Sequence, residues 1–339
     1  AQKLQSTKYG EPAHEEMLFI VVHQVYELWF KQLLHEFNAV IDTFNQAAVK
    51  DQQLTSVVHR LHRVIQIQKL MNDQIGIMET MTPQQFLSFR DYLVPASGFQ
   101  SIQFKQLEIS LGLKREYRID FDKQSFYNRL SDDDRSLLEA LEEKPSLFEL
   151  VDKWLARMPL LKTEDFHFWD YYRKATDEML NDDKETIEKN AFLSEVERRQ
   201  ELKDWQSTRE NFDGLFNHDT YEALLKQGKF RLSHEALLSA LFIKQYSEEP
   251  VFNLPFQLIT ALTEIDEQLT LWRYRHAMMV QRMLGTKIGT GGSSGHHYLK
   301  KTTESNRVFL DFFNMATFLL PKSSLPELPE SVKRRLGFY

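Results

Sequence analysis

Apolar residues recur every three or four positions along residues 253–285. The stripe consists of Leu258, Leu262, Ile265, Leu269, Trp272, His276, Met279 and Met283. This spacing predicts an α-helix with one buried face. His276 is the polar member of the stripe, and a hydrogen-bonded core histidine is the ordinary explanation. The alternative is an axial metal ligand, because imidazole binds metals and a helix holds it rigidly.

A glycine-rich loop, Gly-Thr-Gly-Gly-Ser-Ser-Gly, follows this helix at residues 289–295. It exposes backbone N–H groups and hydroxyls near His276, which favours the ligand hypothesis. The loop lacks the Gly-Lys-Ser/Thr ending of a phosphate-binding P-loop. It does not follow a strand, which argues against a dinucleotide site. A flexible linker is the alternative, and Thr290 is the hydroxyl that a functional loop could place.

Helical spacing recurs elsewhere, and no useful period-two alternation indicates a strand. It predicts helices at residues 14–44, 54–78, 99–113, 145–158, 166–190, 195–211, 234–246 and 298–306, before an apolar run at 308–320. We therefore predict an all-α chain with a single domain over residues 1–339. Residues 114–232 are more polar and predict a helical insertion or cap. Within them, the charged run at 181–185 predicts a solvated turn.

The first predicted helix carries a second histidine among aromatic residues. Its face contains Phe19, His23, Tyr26, Phe30 and Phe37. His23 is therefore either a buried, hydrogen-bonded histidine or a polar group directed at a ligand. Glu15 and Glu16 precede it without the second histidine of a zinc-protease motif. We predict that these carboxylates complement the N-terminus of the helix.

An arginine lies between apolar residues in a short predicted helix. Thr82-Pro83 supplies an N-cap hydroxyl and a proline in the first turn. The helix would put Phe86, Arg90 and Leu93 on one face. Arg90 either extends to solvent or pairs with a protein carboxylate, or it clamps the carboxylate of a ligand with two hydrogen bonds.

Composition narrows the class of protein. The chain has 339 residues, is 42% hydrophobic and has a net charge of −7, which argues against nucleic-acid binding. It has no cysteine, so a metal would be held by histidine, carboxylate or a prosthetic group. We expect no transmembrane helix, because no apolar run reaches 18 residues. We also find no signal peptide, and these features fit a cytoplasmic enzyme.

Several longer motifs, in the same order and spacing, resemble the tryptophan 2,3-dioxygenase family. They are HEEMLFI at residues 14–20, HQ at 23–24, ELW at 27–29, FRD at 89–91, PASGFQS at 95–101, WRYRH at 272–276 and the glycine-rich loop. The similarity extends over nearly the whole chain. Several motifs in register are more specific than any one of them.

This resemblance implies an all-α homotetramer that binds haem b. The implied reaction opens the indole ring of L-tryptophan with O₂ and gives N-formyl-L-kynurenine, the first step of the kynurenine pathway. The partners would then be L-tryptophan, O₂ and three further copies of the chain, with no nucleic acid and no membrane. The alternative is a haem protein that only carries or senses a gas. It would need His276 but no carboxylate clamp.

The resemblance also implies roles for individual residues. His276 looks like the proximal haem ligand, and His23 looks like the distal residue that meets the indole N–H, either as a base or only to position the ring. Arg90 looks like the partner of the substrate carboxylate. Thr290 looks like the loop residue that closes on the ammonium and carboxylate of the substrate. Apolar walls around the indole are implied at Phe19, Phe86 and Leu93.

The N-terminal region departs from the family pattern. In the family, Tyr-Gly is followed by a second tyrosine and a helix before the motif that begins at His14. Here Tyr9-Gly10 continues directly into Glu11. Either the chain lacks that helix or a stretch between these two residues is missing. Tyr9 resembles a substrate-binding residue that reaches into a neighbouring subunit. Some members have tyrosine at the position of Phe86, whose polar role is absent here.

Overall fold

The structure is a computed structural model that describes residues 3–93, 100–118, 127, 130–157, 167–285 and 295–336. Within these residues every regular element is a helix. The prediction of an all-α fold is therefore confirmed. None of the helices in the described part of the chain combines the length and apolarity that a membrane span requires.

Fourteen α-helices are assigned in the described ranges. They are α1 (Glu16–Phe44), α2 (Asp51–Met78), α3 (Pro83–Leu87), α4 (Ile102–Leu111), α5 (Asp132–Glu142), α6 (Leu147–Ala156), α7 (Phe168–Lys189), α8 (Glu195–Phe216), α9 (His218–Lys226), α10 (His234–Gln245), α11 (Asn253–Leu284), α12 (Gly295–Ser305), α13 (Leu310–Asn314) and α14 (Glu330–Leu336). Short 3₁₀ helices include Ser6–Lys8 and Arg90–Leu93.

The helices form two compact units. One unit comprises Ala1–Leu150 and Thr260–Leu310, and the other comprises Val151–Ile259 and Asp311–Tyr339. All the candidate site residues that the structure describes belong to the first unit. The single domain over residues 1–339, with an insertion at 114–232, stays a prediction.

In the first unit, α1 packs along α2 and α4. Its buried face is an aliphatic and aromatic stripe at helical spacing: Phe30, Leu33, Phe37, Val40 and Phe44. Polar side chains of α2 join α11 by bonding to its backbone. Gln68 Nε2 donates to the Ile265 carbonyl at 3.4 Å, and Asn72 Nδ2 donates to the Gln268 carbonyl at 3.2 Å. The long helix that carries His276 is thus held beside α2.

Two buried charges fix α11 in the first unit. The Asp266 carboxylate accepts from the backbone N–H groups of Val308 and Phe309 at 3.0 and 3.1 Å. Burial raises the pKa of Asp266, although these bonds and the positive charge of Arg273 oppose the shift. Arg273 donates to the Glu108 carboxylate at 2.7 Å and to the Asn306 carbonyl at 2.8 Å. Partners of this kind make burial of both charges tolerable.

The second unit contains a hairpin of α7 and α8, with α9 packed on α8. Tyr172 is fully buried and donates to the carbonyl of Phe318. The prediction of a solvated turn at residues 181–185 is wrong, because these residues lie inside α7. Their charges pair along the helix instead, with Lys184 3.8 Å from Glu188 and Lys189 bonded to Glu185. Pairs at this spacing favour a helix.

Of the two carboxylates predicted to complement the start of α1, Glu16 lies in its first turn and also binds the preceding arm. Glu16 is fully buried, and its carboxylate accepts from the backbone N–H groups of Gln5 and Ser6 and from the Ser6 hydroxyl. Burial alone would raise the pKa of Glu16, but these hydrogen bonds outweigh burial and lower it. The carboxylate therefore holds the N-terminal arm on α1. Glu15 accepts instead from the Gln85 amide at 3.0 Å.

We predict that a side chain at Gly112 destabilises the fold. Gly112 ends α4 at φ +131°, and an added Cβ would lie 2.7 Å from the Cβ of Phe148. Gly285 ends α11 at φ +59°, where no described atom lies within 4 Å of an added Cβ. Gly112→Ala should lower the free energy of unfolding by roughly 2–4 kcal/mol, and Gly285→Ala by about 1 kcal/mol. Urea denaturation measures both, and equal losses would contradict the crowding at Gly112.

Candidate active site

His23 lies in the second turn of α1, and its protonation state follows from one hydrogen bond. Its Nδ1 is 2.7 Å from the Phe19 carbonyl. A carbonyl only accepts, so Nδ1 carries the hydrogen and Nε2 of the neutral ring is left as an acceptor. Burial lowers the pKa of His23, and the Phe19 carbonyl and the negative charge of Glu27 oppose this shift only in part. His23 is therefore a neutral hydrogen-bond acceptor at pH 7.

Aromatic rings form the wall beside His23. The Phe19 ring lies 4.1 Å from the His23 ring, 5.8 Å from Phe86 and 5.7 Å from Phe89, measured between centroids. Phe89 is fully buried, and Leu93 packs against the same cluster. The three residues predicted as indole walls, Phe19, Phe86 and Leu93, therefore meet in one apolar cluster. Such a cluster suits a flat, apolar ligand.

Arg90 follows the buried Phe89 and begins the 3₁₀ helix Arg90–Leu93. The expectation of one continuous helix through Phe86, Arg90 and Leu93 is wrong, because α3 ends at Leu87. The predicted start of α3 is confirmed, since the Thr82 hydroxyl accepts from the backbone N–H of Gln85. The change of helix type leaves Arg90 half-buried beside the aromatic wall.

His276 lies on α11 in a strongly desolvated position. Burial, together with the nearby His23, lowers the pKa of His276 to about 4. Its Nδ1 is buried and has no hydrogen-bond partner among the described residues. A core histidine is normally hydrogen-bonded, so the structure favours the ligand hypothesis for His276. Because His23 acts electrostatically on His276, the two imidazoles lie at the same site.

An aromatic cluster lies behind His276. The Trp272 ring is one turn earlier on α11, 5.1 Å from the imidazole. Phe104 of α4 lies 5.1 Å from Trp272 and 5.4 Å from Phe30 of α1. Tyr26 donates to the Met71 carbonyl at 2.7 Å, and burial raises the pKa of its hydroxyl to about 12. The sequence pattern indicated a buried stripe but not that Trp272 and Phe104 back this histidine.

Tyr9 and Thr290 are the remaining predicted site residues. Tyr9 stacks on Tyr92 of its own chain, with ring centroids 4.6 Å apart and planes inclined by 5°, and it is 67% exposed. Tyr9 therefore contacts its own chain, while its substrate-binding role across a subunit interface stays a prediction. Thr290 and residues 94–99 lie outside the described residues.

The residues fit a prosthetic group better than a bare ion. The described part of the chain contains no group of three histidine or acidic side chains that could enclose a metal. It does offer one neutral imidazole without a partner, a second neutral imidazole nearby and apolar aromatic surfaces. One imidazole with a flat apolar pocket is the donor set of a haem. The all-α fold and these residues therefore fit a haem-binding protein.

Comparison with known proteins identifies the family. A family model described as tryptophan 2,3-dioxygenase matches residues 1–319. Tryptophan 2,3-dioxygenase of Alteromonas mediterranea is 83% identical over 339 residues, which is 100% of this chain and 94% of that protein. Those of Bdellovibrio bacteriovorus (44% over 339 residues, 100% and 94%) and Dictyostelium discoideum (45% over 338 residues, 99% and 84%) are also similar.

The chain belongs to the tryptophan 2,3-dioxygenase family. The resemblance drawn from the motifs is therefore confirmed. So is the expected activity, the haem-dependent opening of the indole ring of L-tryptophan by O₂. The gas-sensing alternative is not favoured.

The low pKa of His276 predicts a pH dependence of the haem-free protein. Because the folded pKa lies near 4 and the unfolded value near 6.5, only the unfolded chain takes up this proton between those pH values. Stability should therefore fall as the pH decreases from about 6.5 to about 4, by at most about 1.4 kcal/mol per pH unit from this group. In His276→Leu this contribution should be absent. Urea denaturation at several pH values compares the two proteins, and identical slopes would refute the assignment.

Proposed function

We propose that this chain binds haem b through His276 and holds L-tryptophan on the side of the site where His23 lies. The observation that carries the proposal is a desolvated, neutral imidazole without a protein partner, close to a second neutral imidazole. When bound, the haem iron supplies the chemistry of O₂. The protein supplies orientation, exclusion of water and hydrogen bonds.

The substrate contains three groups with different needs. Its indole suits the apolar wall of Phe19, Phe86 and Leu93. Its carboxylate needs a cation, and Arg90, half-buried next to this wall, can donate two parallel hydrogen bonds to it. By resemblance, Thr290 contributes a hydroxyl to the ammonium and carboxylate groups. Binding of all three groups would fix the ring before O₂ reacts.

We assign His23 the role of accepting the indole N–H at Nε2. The hydrogen bond from Nδ1 to the Phe19 carbonyl supports this role, because it leaves Nε2 as the acceptor. The lowered pKa of His23 makes the ring a weak base, which favours positioning over full removal of the indole proton. The proton therefore stays on the indole nitrogen while the ring is held.

The carboxylate clamp separates this proposal from a gas sensor. A protein that only binds a gas has no use for Arg90 beside an apolar slot that suits an aromatic ring. Anaerobic reduction of the haem-loaded protein with L-tryptophan present, followed by O₂, should give the absorbance of N-formylkynurenine. Reversible O₂ binding without this product would support the sensor instead.

We also propose a homotetramer, in line with the family resemblance. The neighbouring helices α2 and α11 leave large apolar side chains exposed: Leu70, Ile77, Leu271, Tyr274 and Met278. Exposed apolar residues on adjacent helices are typical of subunit interfaces. Sedimentation should give a tetramer, and a fully active monomer would contradict this assembly. A cytoplasmic location stays a prediction.

Replacement of His276 should separate haem binding from folding. His276→Ala removes the proposed ligand, so haem retention should fall sharply, and added imidazole should restore part of the ferrous spectrum. The matched control is His218→Ala, since His218 is an exposed histidine of the second unit. Titration of haem into both variants measures the effect. Retention equal to that of the wild type would mean that the ligand lies elsewhere.

Replacement of Arg90 should impair substrate binding but leave haem binding intact. Loss of the partner of a desolvated carboxylate costs about 2–5 kcal/mol of binding free energy. Arg90→Ala should therefore lower kcat/KM for L-tryptophan by roughly two to three orders of magnitude. Arg90→Lys should retain only part of the wild-type kcat/KM, because an ammonium cannot donate a parallel pair of hydrogen bonds.

Tryptamine and a surface arginine serve as controls for this prediction. Tryptamine lacks the carboxylate, so its turnover should respond much less to Arg90→Ala. Arg60→Ala removes a partly exposed arginine 3.9 Å from Glu36. It should change kcat/KM for neither substrate. Unchanged kcat/KM for L-tryptophan in Arg90→Ala would assign Arg90 a structural role.

A further inference from the structure

Glu27 makes an unusual set of contacts one turn after His23 on α1. Its Oε1 accepts from the Ser101 hydroxyl at 2.6 Å, and its Oε2 accepts from the Gln103 amide at 2.7 Å. The same Gln103 amide nitrogen donates to the Glu27 backbone carbonyl at 2.9 Å. One residue therefore holds both polar side chains at the start of α4. Hydrogen bonds to a carboxylate are stronger than neutral ones.

These bonds fix a helix start rather than a loose loop. The Ser101 hydroxyl donates to Glu27 and also accepts from the backbone N–H of Phe104 at 3.3 Å, which makes Ser101 the N-cap of α4. An N-cap oxygen with a fixed donor direction defines where the first turn begins. The carboxylate of Glu27 thereby sets the position of α4 relative to α1.

The first turn of α4 leads to the other histidine of the site. Phe104 packs on Trp272, and Trp272 lies against His276. Glu27 is thus connected to His23 through one turn of α1 and to His276 through Ser101, Phe104 and Trp272. A shift of α4 along α1 would move Phe104 against Trp272, which packs on His276.

The charge of Glu27 also acts on His23. Its negative charge favours the protonated ring and offsets part of the effect of burial on the pKa of His23. His23 in turn lowers the pKa of His276. Positional and electrostatic effects of Glu27 can be separated, because Ser101 and Gln103 carry no charge.

We propose that Glu27 is a positioning residue for the dioxygenase reaction, which fixes the start of α4 against α1 and so sets the place of the His23 imidazole relative to His276. The inference rests on the proposed role of His23. It adds that the placement of this histidine depends on a carboxylate that is bonded to Ser101 and Gln103. Misplacement of a group by about 1 Å can cost up to about a hundredfold in rate.

The test removes the donors and keeps the charge. In the haem-loaded protein, Ser101→Ala combined with Gln103→Leu should lower kcat for L-tryptophan about tenfold and change KM less than about twofold, because Arg90 is untouched. Glu27→Gln should give a similar loss. Gln32→Leu is the matched control, since it removes another glutamine-to-glutamate bond of α1, to Glu36 at 2.9 Å.

Selectivity for the indole N–H distinguishes positioning from general damage. The ratio of kcat/KM for L-tryptophan to that for 1-methyl-L-tryptophan should fall in the donor variants toward the value of His23→Ala. In the haem-free protein, the imidazole NMR signals of His23 should shift in the same variants and not in Gln32→Leu. A structural effect alone would lower kcat/KM equally for both substrates and leave the ratio unchanged.

Failure of the inference and failure of the proposed function give different results. If His23→Ala changes the ratio but the donor variants and Glu27→Gln keep the wild-type ratio and kcat, Glu27 does not position His23. If His23→Ala itself leaves the ratio unchanged, the proposed role of His23 is wrong and the inference falls with it. A similar loss in Gln32→Leu would also overturn the inference.

Discussion

The neutrality of two imidazoles is the constraint on which this site depends. A charged histidine could neither bind a metal nor accept a hydrogen bond, so both rings must stay neutral at the pH of the cell. Burial lowers the pKa of His276 to about 4, and desolvation also lowers the pKa of His23, although the side chain of His23 is exposed. The cost falls on the haem-free fold, which carries an imidazole without a protein partner. A ligand that bonds to this ring removes that cost, so cofactor binding and fold stability are linked.

The scaffold that holds these rings is fastened by a few buried polar groups. Asp266 and Arg273 fix α11 through backbone groups near residues 306–309, and Glu27 fixes α4 on α1. Apolar packing alone lets helices slide by small steps, because similar ridges and grooves repeat along them. A carboxylate that accepts two directed hydrogen bonds from a neighbouring helix favours one position of that helix along its own. The site therefore combines an apolar interior for affinity with polar contacts that set distances.

Much of the fold could be predicted from the sequence, since long helices repeat their apolar residues every three to four positions. His276 was recognised as a candidate ligand because it interrupts such a stripe. Thr82 was recognised as an N-cap because capping depends only on residues next to it in the sequence. Shorter helices, α5, α9 and α14, were missed, and residues 181–185 were assigned wrongly because paired charges resemble a polar turn. Glu27 and Arg273 could not be recognised, since their partners are 74 and 165 residues away. The bonds from Glu16 to Gln5 and Ser6 were not predicted either, because helical periodicity does not describe contacts with the preceding arm.

The aromatic cluster behind His276 has an optical consequence. Trp272 lies 5.1 Å from the imidazole, so its indole is an intrinsic fluorophore beside anything that His276 binds. A coloured group bound there would quench the emission of Trp272 by energy transfer. The chain therefore contains its own reporter of occupancy at His276. Trp272 also packs on Phe104, so displacement of α4 would change the same emission. Fluorescence would therefore detect this displacement without a catalytic assay.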